Sequence, residues 1–94
     1  MKPVIQPRFN QLRRYRKARG LSQVEAARIL GLKSTARLSR WENGSCMPTA
    51  MNMLWLAATY HTLVDALYID ALRVMRQEIR KREEHVLKHK HHDS

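Results

Sequence analysis

Apolar residues return at helical spacing along nearly the whole chain, and capping residues and glycines cut the pattern into segments. Leu12 and Tyr15 lie three apart in a run that Asn10 can open and Gly20 can close, with Arg13, Arg14 and Lys17 on its wet side. Val24, Ala27 and Leu30 recur every three residues behind the capping residue Ser22, and Gly31 ends that run. Leu38 and Trp41 mark a third segment, opened by Ser34 or Thr35 and stopped at Gly44. After the loop 44–48, Thr49 opens a fourth, in which Met53, Leu56, Ala57 and Tyr60 share one side. Thr62 and Asp65 have capping-box spacing, and from Leu63 to about Lys88 nothing interrupts a helix. No stretch alternates as a half-buried strand does. The pattern predicts an all-α fold of five helices, the last extended to about 39 Å and so well beyond the compact part.

That last helix carries its own repeat. Tyr68, Leu72, Met75, Ile79, Arg82 and Val86 fall at alternating spacings of 4 and 3, and all but Arg82 are apolar, as in the seam of a short coiled coil. Glu78 with Arg82, and Glu84 with Lys88, have the spacing of helix-surface ion pairs. Two blander readings compete with a dimer seam: Tyr68, Ala71, Leu72 and Met75 pack on their own domain, and the second half frays. Self-association is the preferred expectation, because Ile79 and Val86 otherwise lie exposed.

Charge narrows the choice of partner. The 94 residues suffice for one small domain, and the net charge of +10 is unevenly spread. Residues 1–40 hold eleven basic residues against the single acid Glu25; residues 41–72 hold only Glu42, Asp65 and Asp70; residues 73–94 hold seven basic and four acidic residues. Such polarity suits one face to a polyanion. A membrane surface is the weaker partner, since no free apolar face backs the cations. No segment has the apolar length to span a bilayer, and Met1-Lys2-Pro3-Val4-Ile5 lacks a secretory core. Cys46 is the only cysteine, so no intrachain disulfide forms, which fits the expected cytoplasmic setting.

The stretch Leu21 to Gly44, LSQVEAARILGLKSTARLSRWENG, reads as two short helices joined by a tight turn, the second one basic. Steeply crossing helices of that size are how many proteins place one helix in the DNA major groove. The stretch resembles the Xre/Cro family of bacterial and phage helix-turn-helix repressors, through Leu21-Ser22-Gln23, Ala27, Gly31 and Ser39-Arg40-Trp41-Glu42-Asn43-Gly44. The likeness extends forward to Leu12 and Arg16 and back through Pro48, Leu56, Ala57 and Leu67. It departs in one place: Lys33 to Arg37 hold one residue more than the family spacing, which lengthens the turn. The resemblance implies a helix-turn-helix DNA-binding domain over 11–68; the residues on either side read as a flexible N-terminal arm, 1–10, and a C-terminal helix with a His-rich tail, 69–94.

The resemblance also assigns roles. Gln23 matches the family's phosphate-binding glutamine at a helix start. Thr35, Ala36 and Arg40 match positions that read base edges, Arg40 with a guanidinium suited to guanine O6 and N7. Arg37 and Lys33 are expected on phosphate, although for Lys33 a merely solvated charge is an even alternative. Asn43 matches a backbone-binding position just after the helix. Arg16 and Glu42 match a buried structural salt bridge, while Leu38 and Trp41 anchor the helix to the core.

The remaining features carry less. Lys2 and Arg8 sit on a Pro-bearing arm, for which groove tracking is the less common outcome. His85 and His89 are four apart, a metal-ligand spacing, but no carboxylate or thiol completes a site, so neither metal nor cofactor is expected. His61 is placed at a helix junction. No catalytic constellation occurs, and Cys46 lacks a base, so an enzyme is not expected. Three readings remain: a dimeric sequence-specific repressor on a palindromic duplex operator, an antitoxin whose long C-terminal helix docks on and neutralises a small toxin while the protein autoregulates, and a non-specific nucleic-acid binder.

Overall fold

The computed structural model describes residues 10–92, with side chains as far as His89. Six helices follow one another: α1 Leu12–Ala18, α2 Gln23–Leu30, α3 Ala36–Asn43, α4 Ala50–Thr59, α5 Val64–Leu67 and α6 Ile69–His92.

Local chemistry sets most of these boundaries. Asn10 Oδ1 accepts from the Leu12 amide at 3.0 Å, at the mouth of α1. Ser22 and Glu25 form a reciprocal capping box on α2, each side chain bonded to the other's backbone N–H. Thr49 Oγ1 accepts from the Asn52 amide at 3.2 Å and caps α4. Four helices end on a left-handed residue followed by a long return bond: Leu21 N to Arg16 O past Gly20, Leu32 N to Ala27 O past Gly31, Ser45 N to Arg40 O past Gly44, and Thr62 N to Ala57 O past His61. His61, the junction residue, does this at φ +54°, without glycine's freedom.

The core gathers Leu12, Ala26, Leu38, Trp41, Leu56, Ala57, Tyr60, Leu67 and Tyr68. Leu12, Leu38, Leu56 and Leu67 are wholly enclosed, and truncating any of them to Ala costs about 2–5 kcal/mol. In α2 the inward stripe is Gln23, Ala26, Ala27 and Leu30; Val24, expected inside, is 52% exposed. The stripe is turned because Gln23 uses its inward position for a hydrogen bond described below, and because the small Ala26 and Ala27 face inward where α2 meets α4.

Two expectations for the C-terminal half are corrected. Thr62 does not cap α5: the N-cap position falls one residue further on, at Leu63, whose apolar side chain can make no cap, while the Thr62 amide closes α4. Nor is the helix unbroken from Leu63: Tyr68 leaves helical geometry at φ −128°, ψ 35°, separating α5 from α6. The break has a partner. The Leu67 carbonyl accepts from the Gln11 amide at 2.8 Å, so it is turned to α1 rather than to the next helical turn. Gln11 Nε2 also donates to Asp70 Oδ2 at 3.0 Å, on the other side of the break. Beyond it α6 projects for about 36 Å, giving the molecule principal extents of 57 × 24 × 20 Å. On its surface Glu78 and Arg82 pair at 3.4 Å, while Glu84 and Lys88, both exposed, do not.

Candidate nucleic-acid interface

The third helix is held from beneath by apolar contact and an ion network. Leu38 is fully enclosed and Trp41 is 4% exposed, so one side of α3 belongs to the core. At its foot the Glu42 carboxylate, wholly buried, meets Arg16 twice: Nε to Oε2 at 2.7 Å and Nη2 to Oε1 at 3.1 Å. Arg16 Nη1 also donates to the Leu21 carbonyl at 2.9 Å, tying in the start of the α2 region. Gln23 Nε2 and Arg13 Nε reach the same Oε1 at 3.2 and 3.4 Å. Burial alone lifts Glu42's proton affinity; the bonds from Arg16 and Gln23, then the charge of Arg16 and the bond from Arg13, outweigh it and hold the carboxyl below its usual range. The bond to Glu42 likewise raises Arg16. Neighbouring Asn10 donates Nδ2 to the Trp41 carbonyl at 3.1 Å, a further tie to α3.

The opposite side of α3 faces solvent and is cationic. Ala36, Arg37 and Arg40 are exposed, and with Lys33, Ser34, Gly31 and Leu32 they line an open concavity of about 410 Å³. The lengthened turn, residues 31–35, forms one wall, and the start of α3 forms the other. Ser34 Oγ accepts from the Ala36 amide at 3.3 Å, whereas Thr35, the residue before the helix, makes no side-chain cap. Ala36, Arg40 and Asn43 follow at i, i+4 and i+7 along one line of the helix. A basic helix with its N-terminus open to one side favours a phosphate or another anion there.

Four residues expected at a DNA contact thus share one surface: Lys33, Ala36, Arg37 and Arg40. Thr35 is half-buried beside them. Gln23 lies apart, its amide turned inward onto Glu42. Asn43 is exposed at the far end, with Oδ1 accepting from the Ser45 amide at 2.9 Å and from Ser45 Oγ at 2.6 Å. Sequence reasoning missed Arg13, read as merely wet, because an acid 29 positions away gave no local signal. It also missed Arg19, whose Nε donates to the Thr59 carbonyl at 3.2 Å at the end of α4. Lys2 and Arg8 lie outside the described residues.

Elsewhere little chemistry assembles. His85 and His89 meet edge to face, 4.3 Å between ring centres. Among the described residues no three His, Cys, Asp or Glu side chains cluster to hold a metal ion. Cys46 is exposed. No described helix is long and apolar enough to cross a membrane.

A capped helix, a glycine turn and a second helix, basic outside and anchored inside by Leu38 and Trp41, define a helix-turn-helix DNA-binding regulator. The pattern of the helix-turn-helix family, in its Xre/Cro-like form, matches residues 12–65, more than half of the chain. The chain belongs to this family, whose members are DNA-binding regulators and not enzymes. No curated protein and no solved structure matches it.

Proposed function

We propose that this protein is a sequence-specific regulator of transcription, a repressor that binds a palindromic duplex operator as a homodimer in the cytoplasm. One observation carries it: Arg37 and Arg40 project beside Lys33 from a helix whose other face is locked by Leu38, Trp41 and the Arg16–Glu42 pair. A rigid cationic helix of this kind fits the major groove, where Arg40 reads a guanine edge and Thr35 and Ala36 touch neighbouring bases or thymine methyls. Lys33, Arg37, Gln23 and Asn43 hold the sugar–phosphate backbone and fix the register. For Gln23 this requires its amide to leave Glu42 or its backbone N–H to make the contact. Occupancy of a promoter then suffices for repression.

Selection of bound sequences from a random duplex pool tests this directly. An enriched motif with twofold symmetry, its half-sites about 10 base pairs or a multiple apart, is the expected result. Equal retention of unrelated duplexes at physiological salt overturns it in favour of non-specific binding.

The outer face of α4 favours a second reading. Met51, Leu54 and Trp55 are 62, 58 and 60% exposed, an apolar surface without charge that suits a protein partner. An antitoxin docking a small toxin there also binds its own operator. Co-purification with the product of an adjacent gene supports that reading; its absence, with a clean homodimer by light scattering, counts against it.

A further inference from the structure

The uncovered stripe of α6 is carried by Met75, Ile79 and Val86, which are 46, 47 and 60% exposed. Leu72 and Met75 at its start also line an apolar groove of about 230 Å³ with Met47, Met53, Val64 and Tyr68. The stripe therefore continues onto the domain. A single charge interrupts it, Arg82, whose Nε lies 3.4 Å from Glu78 of its own helix. Beside the stripe run Arg76 and Glu83 on one flank, and Glu78 and His85 on the other.

These charges discriminate between the ways two copies of the helix can pair. In a parallel pair the seam sets Arg82 against Arg82, and the flanks set Glu78 against Glu83, like charge on like in both places. An antiparallel pair brings each flank against the same flank of the other copy. With Met75 opposite Val86, Arg76 falls opposite Glu83 and Glu78 opposite His85, each twice by symmetry. Ile79 then rests on the aliphatic stem of Arg82. The twofold axis of this register passes between Arg80 and Lys81, the midpoint of Ile69–His92, so the helices overlap along their full length. Residues 86–89 of the second copy, which include Lys88 and no acid, come to lie along the apolar groove, whose rim carries Asp65.

We propose that a second copy of this chain covers the stripe in this antiparallel register, so that each α6 reaches back to the other copy's domain in an isologous pair. This rests on the dimeric reading above and adds to it the orientation and the register.

Cysteine cross-linking in the full chain tests the orientation. In a Cys46→Ser background, Met75→Cys and Val86→Cys chains of different tag length are mixed and oxidised; both positions are exposed, so neither substitution disturbs the core. The expected product is the mixed 75–86 cross-link. Predominant 75–75 and 86–86 products overturn the antiparallel register and leave a dimer standing. A monomer at micromolar concentration by light scattering, with no cross-link, overturns both, and operator selection still scores DNA binding separately. A charge exchange gives a second measure: Arg76→Glu raises the dimer dissociation constant about tenfold, and adding Glu83→Arg restores it. No recovery in the double variant overturns the pairing of those two residues.

Discussion

Gln23 donates its side-chain amide to Oε1 of Glu42, 3.2 Å away. The first residue of α2 and the foot of α3 are thereby joined through one buried carboxylate, which Arg16 binds from α1. Three helices meet at a single side chain, and the angle at which α3 presents Arg37 and Arg40 follows from it. Glu42 is thus a positioning residue for the outer face of α3.

Replacing Glu42 by Gln leaves Arg16 buried without its counter-charge and is expected to cost about 3–5 kcal/mol in urea unfolding at neutral pH. The pH dependence has a definite sign. Because the folded-state carboxyl is held below its usual range, its contribution is complete above the ordinary carboxylate range and is lost as pH falls through the lowered folded value. The Glu42→Gln variant should therefore lose less stability than the parent on acidification across that window.

On the outer face the two kinds of contact separate in a competition assay. Arg40→Ala should relax preference at one base pair by about 1–3 kcal/mol and leave the others unchanged. Arg37→Ala should weaken every duplex alike and lower the slope of log K against log salt by about 1. Gln23→Ala should do the same to affinity while also losing its bond to Glu42, about 1 kcal/mol of stability.

Tyr60 and Tyr68 bury hydroxyls that have no hydrogen-bond partner among the described residues. Burial, with the nearby Glu42 charge, lifts the Tyr60 phenol, and burial pushes Tyr68 up to about 12. Tyr60→Phe and Tyr68→Phe remove a desolvated group and lose no bond, so thermal unfolding should show them neutral or stabilised. A loss above about 1 kcal/mol in either contradicts this.

Gly31 sits at φ +75°, and a Cβ there would touch nothing within 4 Å. Gly31→Ala is therefore a test of backbone strain alone, with an expected cost of about 1–2 kcal/mol. Gly31→Asn should recover part of it, since Asn tolerates the left-handed region better.

The sequence disclosed what depends on neighbours a few residues away. Ser22, Thr49, Gly31 and Gly44 act at the helix ends where their chemistry places them, and Leu38 with Trp41 does enter the core. Placing Lys33, Ala36, Arg37 and Arg40 on one surface also needed only helical spacing and a turn. Hidden features were those in which distant chain overrules local preference. Val24 is the better core residue by type, yet Gln23 takes the inward place because a carboxylate 19 positions away accepts its amide. Nothing near Tyr68 discourages a helix; the break there answers to Gln11, far back in the chain.

That interruption at Tyr68 sets the azimuth of everything after it. The compass bearing of α6 around its own axis, relative to Arg40, is dictated by the clasp of Gln11 on Leu67 and Asp70 and not by uninterrupted winding. One residue inserted just beyond Tyr68 would swing Ile79 and Val86 by about 100° with no side chain altered on either surface. Phase, as much as chemistry, then decides where around a duplex a companion molecule can stand.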